Sequence, residues 1–427
     1  MRSSNYNYII PEQDGYLFFN GITGASFKVQ SKNKDAFVSI IDNPDLNYSK
    51  FGNFIDRMLN QGFIVSDDTD ENELIRKKYE LNRCPGLYEV MILPTYQCNL
   101  RCWYCTQEHA NQWLSDESVV KIKKRIEYIL RREDVNQFHL TWFGGEPLLS
   151  YDRILEISQW AKDFCEALNK SFFSSITTNG TLLNKERIDK LKELGFGHYQ
   201  ITIDGDRLTH NKIKVLGSNS AFDVTISNIA ELAKHTQCTL RFNYTKDNLK
   251  PHEIIEDLKN RIPEEVRGNI TIALYKVWQE SGENVNPEDV KLLAKLARDS
   301  KFKAHLQSTG MCYADYKYFD CIFPNGKVGK CDNADPESEH VCGIISDDGE
   351  VTWENEDCNS LPGIFDPKID AAECVECRYL PVCWGPCPKR REEMMDKYGK
   401  VTCMYNGNKD AEIQKLLVNR YLNLTNY

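Results

Sequence analysis

Val90-Met91-Ile92-Leu93-Pro94 is an apolar run that leads directly into Thr95-Tyr96-Gln97-Cys98-Asn99-Leu100-Arg101-Cys102-Trp103-Tyr104-Cys105. Four apolar residues closed by a proline read as a buried strand, and the loop after it carries three cysteines. The same plan recurs downstream. Strands are expected at 138–143, 173–178, 199–203, 239–244 and 270–274, with helical patterns at 118–131, 153–168, 185–194 and 227–234 between them. Strand and helix alternating at this spacing build parallel βαβ units. Six strands are fewer than a closed eight-stranded barrel needs. The expectation is therefore an α/β fold with an open partial (β/α)6 barrel, its sites at the carboxyl ends of the strands.

The flanks differ from this core. Before it, 16–20 and 25–29 read as two strands around the turn Gly21 to Gly24. Residues 51–61 carry Phe54, Ile55, Met58 and Leu59 on one helical face, and 63–65 is a short strand. The acidic run 67–73 reads as a solvated linker or a helix start. Together 1–85 suggests a winged-helix-like module. The barrel is expected over 86–285 and a bridging helix over 286–310, with Val290, Leu293, Ala294 and Ala297 on one face. Residues 311–427 are rich in Gly, Pro, Asp and Cys, with weak periodicity until a last helix at 411–422. A loop-rich segment of that length must be held by something other than apolar packing, and metal centres would do it.

Composition narrows the function. At about 150 residues per domain, 427 residues suggest two or three domains. Lys+Arg 53 against Asp+Glu 63 gives −10. Neither nucleic acid nor an anionic membrane surface is an expected partner of such a chain. No run of 18 apolar residues occurs, and the first residues lack the pattern of a signal peptide, so a cytoplasmic location is expected. Of 16 cysteines, three lie at Cys98, Cys102 and Cys105, and ten between Cys312 and Cys403. In a reducing compartment, clustered thiols argue for metal or redox centres.

Cys98-x3-Cys102-x2-Cys105 can hold three irons of a cubane cluster and leave the fourth free for a ligand. A structural zinc would want a fourth protein ligand, for which His109 is the nearest candidate. Gly144-Gly145-Glu146-Pro147 follows the second strand. A carboxylate such as Glu146 suits an ammonium group, and the glycines allow a close backbone approach; a tight turn would read the same. Thr178-Asn179-Gly180-Thr181 follows the third strand and Ile203-Asp204-Gly205 closes the fourth. Turn Asn and Asp residues are common in their own right.

These motifs, in this order, resemble those of radical S-adenosylmethionine (SAM) enzymes. The resemblance implies a SAM-binding 4Fe–4S cluster on Cys98, Cys102 and Cys105, with SAM contacts from Gly144, Gly145, Glu146, Pro147, Asn179 and Asp204. Tyr104 would pack against adenine, though a core aromatic fits the same position. Where the family usually reads His-Asp-x-x-Arg, this chain has His210-Asn211-Lys212-Ile213-Lys214, and lysine does not replace a bidentate arginine contact.

Cys312-x13-Gly326-x4-Cys331 and Cys374-x2-Cys377-x5-Cys383-x3-Cys387, closed by Cys403, resemble the SPASM domain of peptide-modifying radical SAM enzymes. That implies two auxiliary 4Fe–4S clusters, three in all. Cys374, Cys377, Cys383 and Cys403 would hold the outer one, and Cys312, Cys331 and Cys387 the inner one. A fourth inner ligand could be Cys321, Cys342 or Cys358, or the site could be open to a substrate thiol. Zinc knuckles are the alternative for the same thiols. The N-terminal unit resembles the leader-binding module of enzymes that mature ribosomal peptides, which add a peptide strand at a sheet edge; a packing domain without a partner is the other option.

The expected function is an oxidoreductase that uses a 5′-deoxyadenosyl radical to take hydrogen from a ribosomally synthesised precursor peptide. It would then install a thioether, C–C or C–O crosslink. Its partners would be that peptide and an electron donor such as flavodoxin or ferredoxin. An anaerobic sulfatase-maturating, formylglycine-forming enzyme is one alternative, and a non-catalytic peptide-binding scaffold another. No general base is identified.

Overall fold

Phe18 lies between Leu17 and Phe19 on one strand, and successive strand side chains point to opposite faces. Both faces are buried, by different parts of the chain. The computed structural model describes residues 1–107, 109–277, 279, 285–333, 343–353, 363–405 and 407–425. They form two compact units. One unit joins Met1–Pro85, Ser308–Lys317 and the described residues from 363 to 425. The other joins Gly86–Gln307 and the described residues from 318 to 353.

In the first unit, β1 (Arg2–Ser3) pairs antiparallel with β5 (Ile64–Val65). Strands β2 (Asn7–Glu12), β3 (Gly15–Asn20) and β4 (Ser26–Val29) form an antiparallel sheet in that order. Sequence periodicity missed β2, because Pro11 interrupts its alternation and demotes it to an edge. Phe18 packs with Val29, Ile41, Ile55 and Phe63, Ile41 and Ile55 coming from the helices Lys34–Asp42 and Pro44–Asn60 and Phe63 from the turn after them. Leu17 and Phe19, with Tyr8 and Ile10, pack instead against Tyr379, Val382, Ile413 and Leu417. The acidic run opens a helix, Glu71–Arg83, whose start is capped by the Asp70 side chain accepting from the N–H groups of Asn72 and Glu73. Its Ile75 and Tyr79 are buried with Ile364, Leu380 and Trp384. Residues 1–85 thus close one small core on themselves and share two others with the cysteine-rich C-terminal segment.

In the second unit an eleven-stranded sheet runs in the order β12-β11-β10-β9-β8-β7-β6-β13-β14-β15-β16. The six expected strands are β6 (Leu87–Ile92), β7 (Gln137–Trp142), β8 (Ser171–Thr178), β9 (Phe196–Ile203), β10 (Cys238–Tyr244) and β11 (Ile270–Lys276), all parallel. The parallel set is larger than expected. β12 (Lys303–Leu306) adds beyond β11, and β13 (Phe319–Ile322) adds beside β6. β14 (Lys327–Gly329), β15 (Gly343–Ile345) and β16 (Val351–Trp353) continue antiparallel. One sheet face is apolar and fully buried, with Tyr88, Val90, Phe138, Leu140, Ile201 and Ile203 on it. The alternate positions Glu89, His139, Thr141, Gln200 and Thr202 are polar and only half-buried. No described helix is long and apolar enough to cross a membrane.

Candidate active site

The loop after β6 is shaped before any ligand is considered. The Thr95 hydroxyl donates to the carbonyl of Gln112 (2.8 Å) and accepts from the N–H of Gln97 (3.0 Å). Thr95 also bridges to Trp113, closing the base of the loop. Within it, the N–H of Cys105 donates to the carbonyl of Cys102 (3.1 Å). Cys98, Cys102 and Cys105 line one cavity of about 360 Å³ at the carboxyl end of the parallel strands, a volume suited to a small-molecule ligand. All three are free thiols. Burial pushes the Cys98 thiol up, and the Cys102 thiol up to about 11 against the opposing pull of Lys214.

The turn of Gly144 and Gly145 forms the opposite wall. A Cβ on Gly145 would meet the carbonyl oxygen of Gln97 at 2.2 Å, so only glycine allows this turn to sit against the cysteine loop. The N–H groups of Gly145 and Glu146 donate to the carbonyls of Thr95 (3.0 Å) and Gln97 (2.8 Å). Glu146, expected to meet an ammonium group, is fully buried, and three donors of its own chain reach its carboxylate. One oxygen accepts from the Leu148 N–H (3.0 Å) and the Thr178 hydroxyl (2.8 Å), the other from the Asn179 N–H (2.8 Å). Burial raises its pKa, and these donors oppose the rise. Glu146 therefore braces the second-strand turn to the third-strand turn. Pro147 is also buried, at the start of a 3-10 turn (Pro147–Ser150), and lies off the cavity wall.

Asn179 is on the wall. Its side-chain amide donates to Cys98 Sγ (3.7 Å) and to Asn99 Oδ1 (2.8 Å), and the Leu100 N–H donates to the same sulfur (3.4 Å). Tyr104 is on the wall as well, its hydroxyl donating to Asp204 Oδ2 (2.6 Å) and accepting from the Asn243 amide (3.2 Å). Asp204 stands behind the wall, wholly buried, with Lys214 Nζ at 3.4 Å from Oδ2 and no donor among the described residues to Oδ1. His210 accepts the Asp204 N–H on Nδ1 (3.2 Å), and burial drives its pKa far down, so it is a neutral structural ring.

Lys214, Arg241 and Asn243 also face the cavity. Lys214 donates to the Thr202 carbonyl (2.9 Å) and hydroxyl. Arg241 and Asn243 went unnoticed in the sequence, although their alternation with the buried Leu240 and Phe242 on β10 carries the signal.

The second thiol set lies in the first unit. Cys374, Cys377, Cys383 and Cys403 line one small cleft with Tyr405 and Lys409. The Tyr379 N–H donates to Cys377 Sγ (3.4 Å). Gly385 is left-handed (φ +72°), and a Cβ there would press on Ile364 at 2.9 Å. Burial pushes the Cys374 thiol up to about 12 and the Cys383 thiol up to about 11. Cys312 and Cys387 also belong to this unit, and Cys331 to the other. Cys321 sits fully buried in β13, between β6 and β14. Cys342 and Cys358 lie outside the described residues.

Among the described residues no three His, Cys, Asp or Glu side chains are grouped to hold a single ion. The thiols instead share cavity walls, the arrangement a cluster with one iron per thiolate requires. Amide donors already aimed at Cys98 and Cys377 suit charged sulfur ligands.

The Radical SAM superfamily model matches residues 92–258. The chain is 28% identical over 175 residues to Fe-coproporphyrin III synthase of Methanosarcina barkeri, over 40% of this chain and 40% of that protein. It is 28% identical over 186 residues to GTP 3′,8-cyclase 1 of Mycobacterium tuberculosis, over 43% and 50%. It thus spans only 40% to 50% of the length of these relatives. Among solved structures, native anSMEcpe with bound AdoMet superposes with a TM-score of 0.57 at 17% identity, over 80% of this chain and 99% of that one, a likeness of fold. The chain carries a radical SAM domain, set in an α/β fold with a large, mostly parallel sheet.

Proposed function

We propose that this chain is a radical SAM/SPASM enzyme that modifies a ribosomally synthesised precursor peptide, taking hydrogen from one residue and closing an intramolecular thioether, C–C or C–O crosslink. The observation that carries the reading is the pair of cysteine sets. Cys98, Cys102 and Cys105 line a cavity in one unit, while Cys374, Cys377, Cys383 and Cys403 line a cleft in the other. When bound, 4Fe–4S clusters and SAM supply one-electron, hydrogen-abstracting chemistry.

The protein's own residues bind and orient. Asn179 and the Leu100 N–H stabilise negative charge on the Cys98 sulfur. Gly144 and Gly145 keep bare backbone on the wall. Tyr104, tethered by Asp204 and Asn243, offers a fixed ring face to a planar group. Lys214 offers a point charge to a carboxylate, a looser contact than an arginine fork. In the first unit, β2 and β4 are sheet edges, and an edge can take up an extended leader peptide as an added strand. This sheet also favours a leader-bearing peptide over the formylglycine-forming alternative.

The test is a peptide mass. The protein is produced anaerobically with each short peptide encoded beside its gene, and with an electron donor such as flavodoxin or ferredoxin. Loss of two hydrogens from a peptide, absent with Cys102→Ala, is the expected result. Unchanged masses for all such peptides, with SAM cleavage intact, would overturn the peptide reading.

A further inference from the structure

Two cysteines of the first unit each begin a turn, and the turns are tied together by a buried ion pair. The Cys312 carbonyl accepts the N–H of Asp315 (3.0 Å), and the Cys387 carbonyl accepts the N–H of Arg391 (2.9 Å). Asp315 ends a short 3-10 turn (Tyr313–Asp315), and Arg391 lies in the first turn of the helix Pro388–Tyr398. Across the gap, one Arg391 nitrogen, Nη2, donates to both Asp315 carboxylate oxygens, at 2.9 and 2.7 Å. Arg391 is fully buried and Asp315 nearly so.

The tie reaches past the pair at both ends. Arg391 Nε donates to the carbonyl of Pro386, the residue before Cys387 (2.8 Å). The Asp315 carbonyl accepts from Arg83 Nε (3.0 Å) and its carboxylate from the Tyr79 hydroxyl (2.9 Å), which itself accepts the Ile364 N–H (3.0 Å). Both charges are thus held in direction by hydrogen bonds on either side of the pair. A buried ion pair is weak evidence for stability, since apolar residues of similar volume often serve a fold as well. Its use must be sought in what it holds still.

We propose that Asp315 and Arg391 are positioning residues for the Cys312 and Cys387 thiolates, tying together the two turns that carry these ligands within the first unit, with Tyr79 and Arg83 anchoring that tie to the N-terminal helix. The proposal rests on the radical SAM/SPASM reading proposed above, with Cys312 and Cys387 as the inner-cluster ligands that the resemblance implies.

The experiment uses the full chain, reconstituted anaerobically, and measures iron per chain, the EPR spectrum of the reduced clusters, and the thermal midpoint before iron is added. Cys312→Ala and Cys387→Ala fix the premise: each should lose about one third of the iron, one cluster of three. If both keep all of it, the ligand assignment fails. The double variant Asp315→Leu/Arg391→Met replaces the pair by apolar groups. It should melt below the parent, because the Pro386 carbonyl and the Tyr79 hydroxyl each lose a buried partner; while still folded it should lose the same third of the iron, or show a shifted auxiliary EPR signal, with the signal of the Cys98, Cys102 and Cys105 cluster unchanged. Arg391→Lys keeps the charge but not the fork, and should shift the auxiliary signal in the same direction. Should the double variant fail to fold, Arg391→Lys decides. Full iron and an unaltered auxiliary spectrum in a folded variant would overturn the positioning role while leaving the ligand assignment intact.

Discussion

The side-chain amide of Asn179 points at the sulfur of Cys98 across 3.7 Å while the same nitrogen donates to Asn99 at 2.8 Å. One residue of the third-strand turn therefore fixes two residues of the cysteine loop. Donors in this outer layer typically matter 10- to 100-fold for metal affinity or activity. Asn179→Ala should slow SAM cleavage by about 10-fold or more and shift the potential of the cluster on Cys98. Titration of the reduced cluster followed by EPR checks the second effect, and an unshifted potential would confine Asn179 to holding the turn.

Glu146 predicts a loss of stability before a loss of ligand. Glu146→Gln sets an amide N–H2 against donors that already point inward, leaving at least one buried group unpaired, at a cost of about 1–3 kcal/mol. Denaturant unfolding of the protein should show that loss with SAM absent. A variant of unchanged stability but weakened SAM binding would restore the direct ligand role expected from the sequence.

Asp320 carries a pH signature. Burial alone would raise its carboxyl, but Arg125 (2.8 Å) and Lys330 (3.4 Å) outweigh burial and hold it well below the usual range. A depressed folded pKa adds stability that is complete above the unfolded value of about 3.9 and is lost as pH falls below it. Asp320→Asn should cost about 3 kcal/mol at neutral pH by leaving two buried cations unmatched. The gap between variant and parent should hold flat down to about pH 5 and narrow in stronger acid. Unfolding curves across that range test the sign: a gap that widens on acidification refutes it.

Removal of residues 1–85 should not yield a working shortened enzyme. Leu17 and Phe19 cover Tyr379 and Leu417, and Tyr79 covers Ile364 and Trp384. The truncated chain should lose soluble yield and the iron of the cluster proposed at Cys374, Cys377, Cys383 and Cys403. Soluble protein with full iron at those thiols would mean that the C-terminal segment folds without the N-terminal sheet.

Much of the fold was legible because it is written locally. Val90, Leu140 and Ile201 sit in apolar runs between amphipathic helices, so six parallel strands could be counted from the sequence. β12 and β13 escaped because each is four residues long, and Asp320 breaks the apolar run of β13. Its burial makes sense only through Arg125 and Lys330, distant in the chain. The cysteine loop stood out by its spacing, and the family resemblance pointed to Gly144, Gly145, Tyr104 and Asn179, which line one cavity with it. The bracing contacts of Glu146 could not be read from the motif, because its partners, Thr178 and Asn179, lie on another turn. Arg241 and Asn243 needed a strand face to be read as a wall.

The sheet that buries Phe18 on one side and Leu17 and Phe19 on the other also sets a timetable. Phe18 finds its neighbours as soon as residue 63 has been made, but Tyr8, Ile10, Leu17 and Phe19 wait for Leu417. At about 5–20 residues per second, that wait during synthesis is on the order of tens of seconds. Throughout it the nascent chain bears an uncovered aromatic face, and Cys374, Cys377 and Cys383 leave the ribosome before Cys403 can join them. Iron delivered before Cys403 has been made would meet an incomplete set of thiols at this cleft.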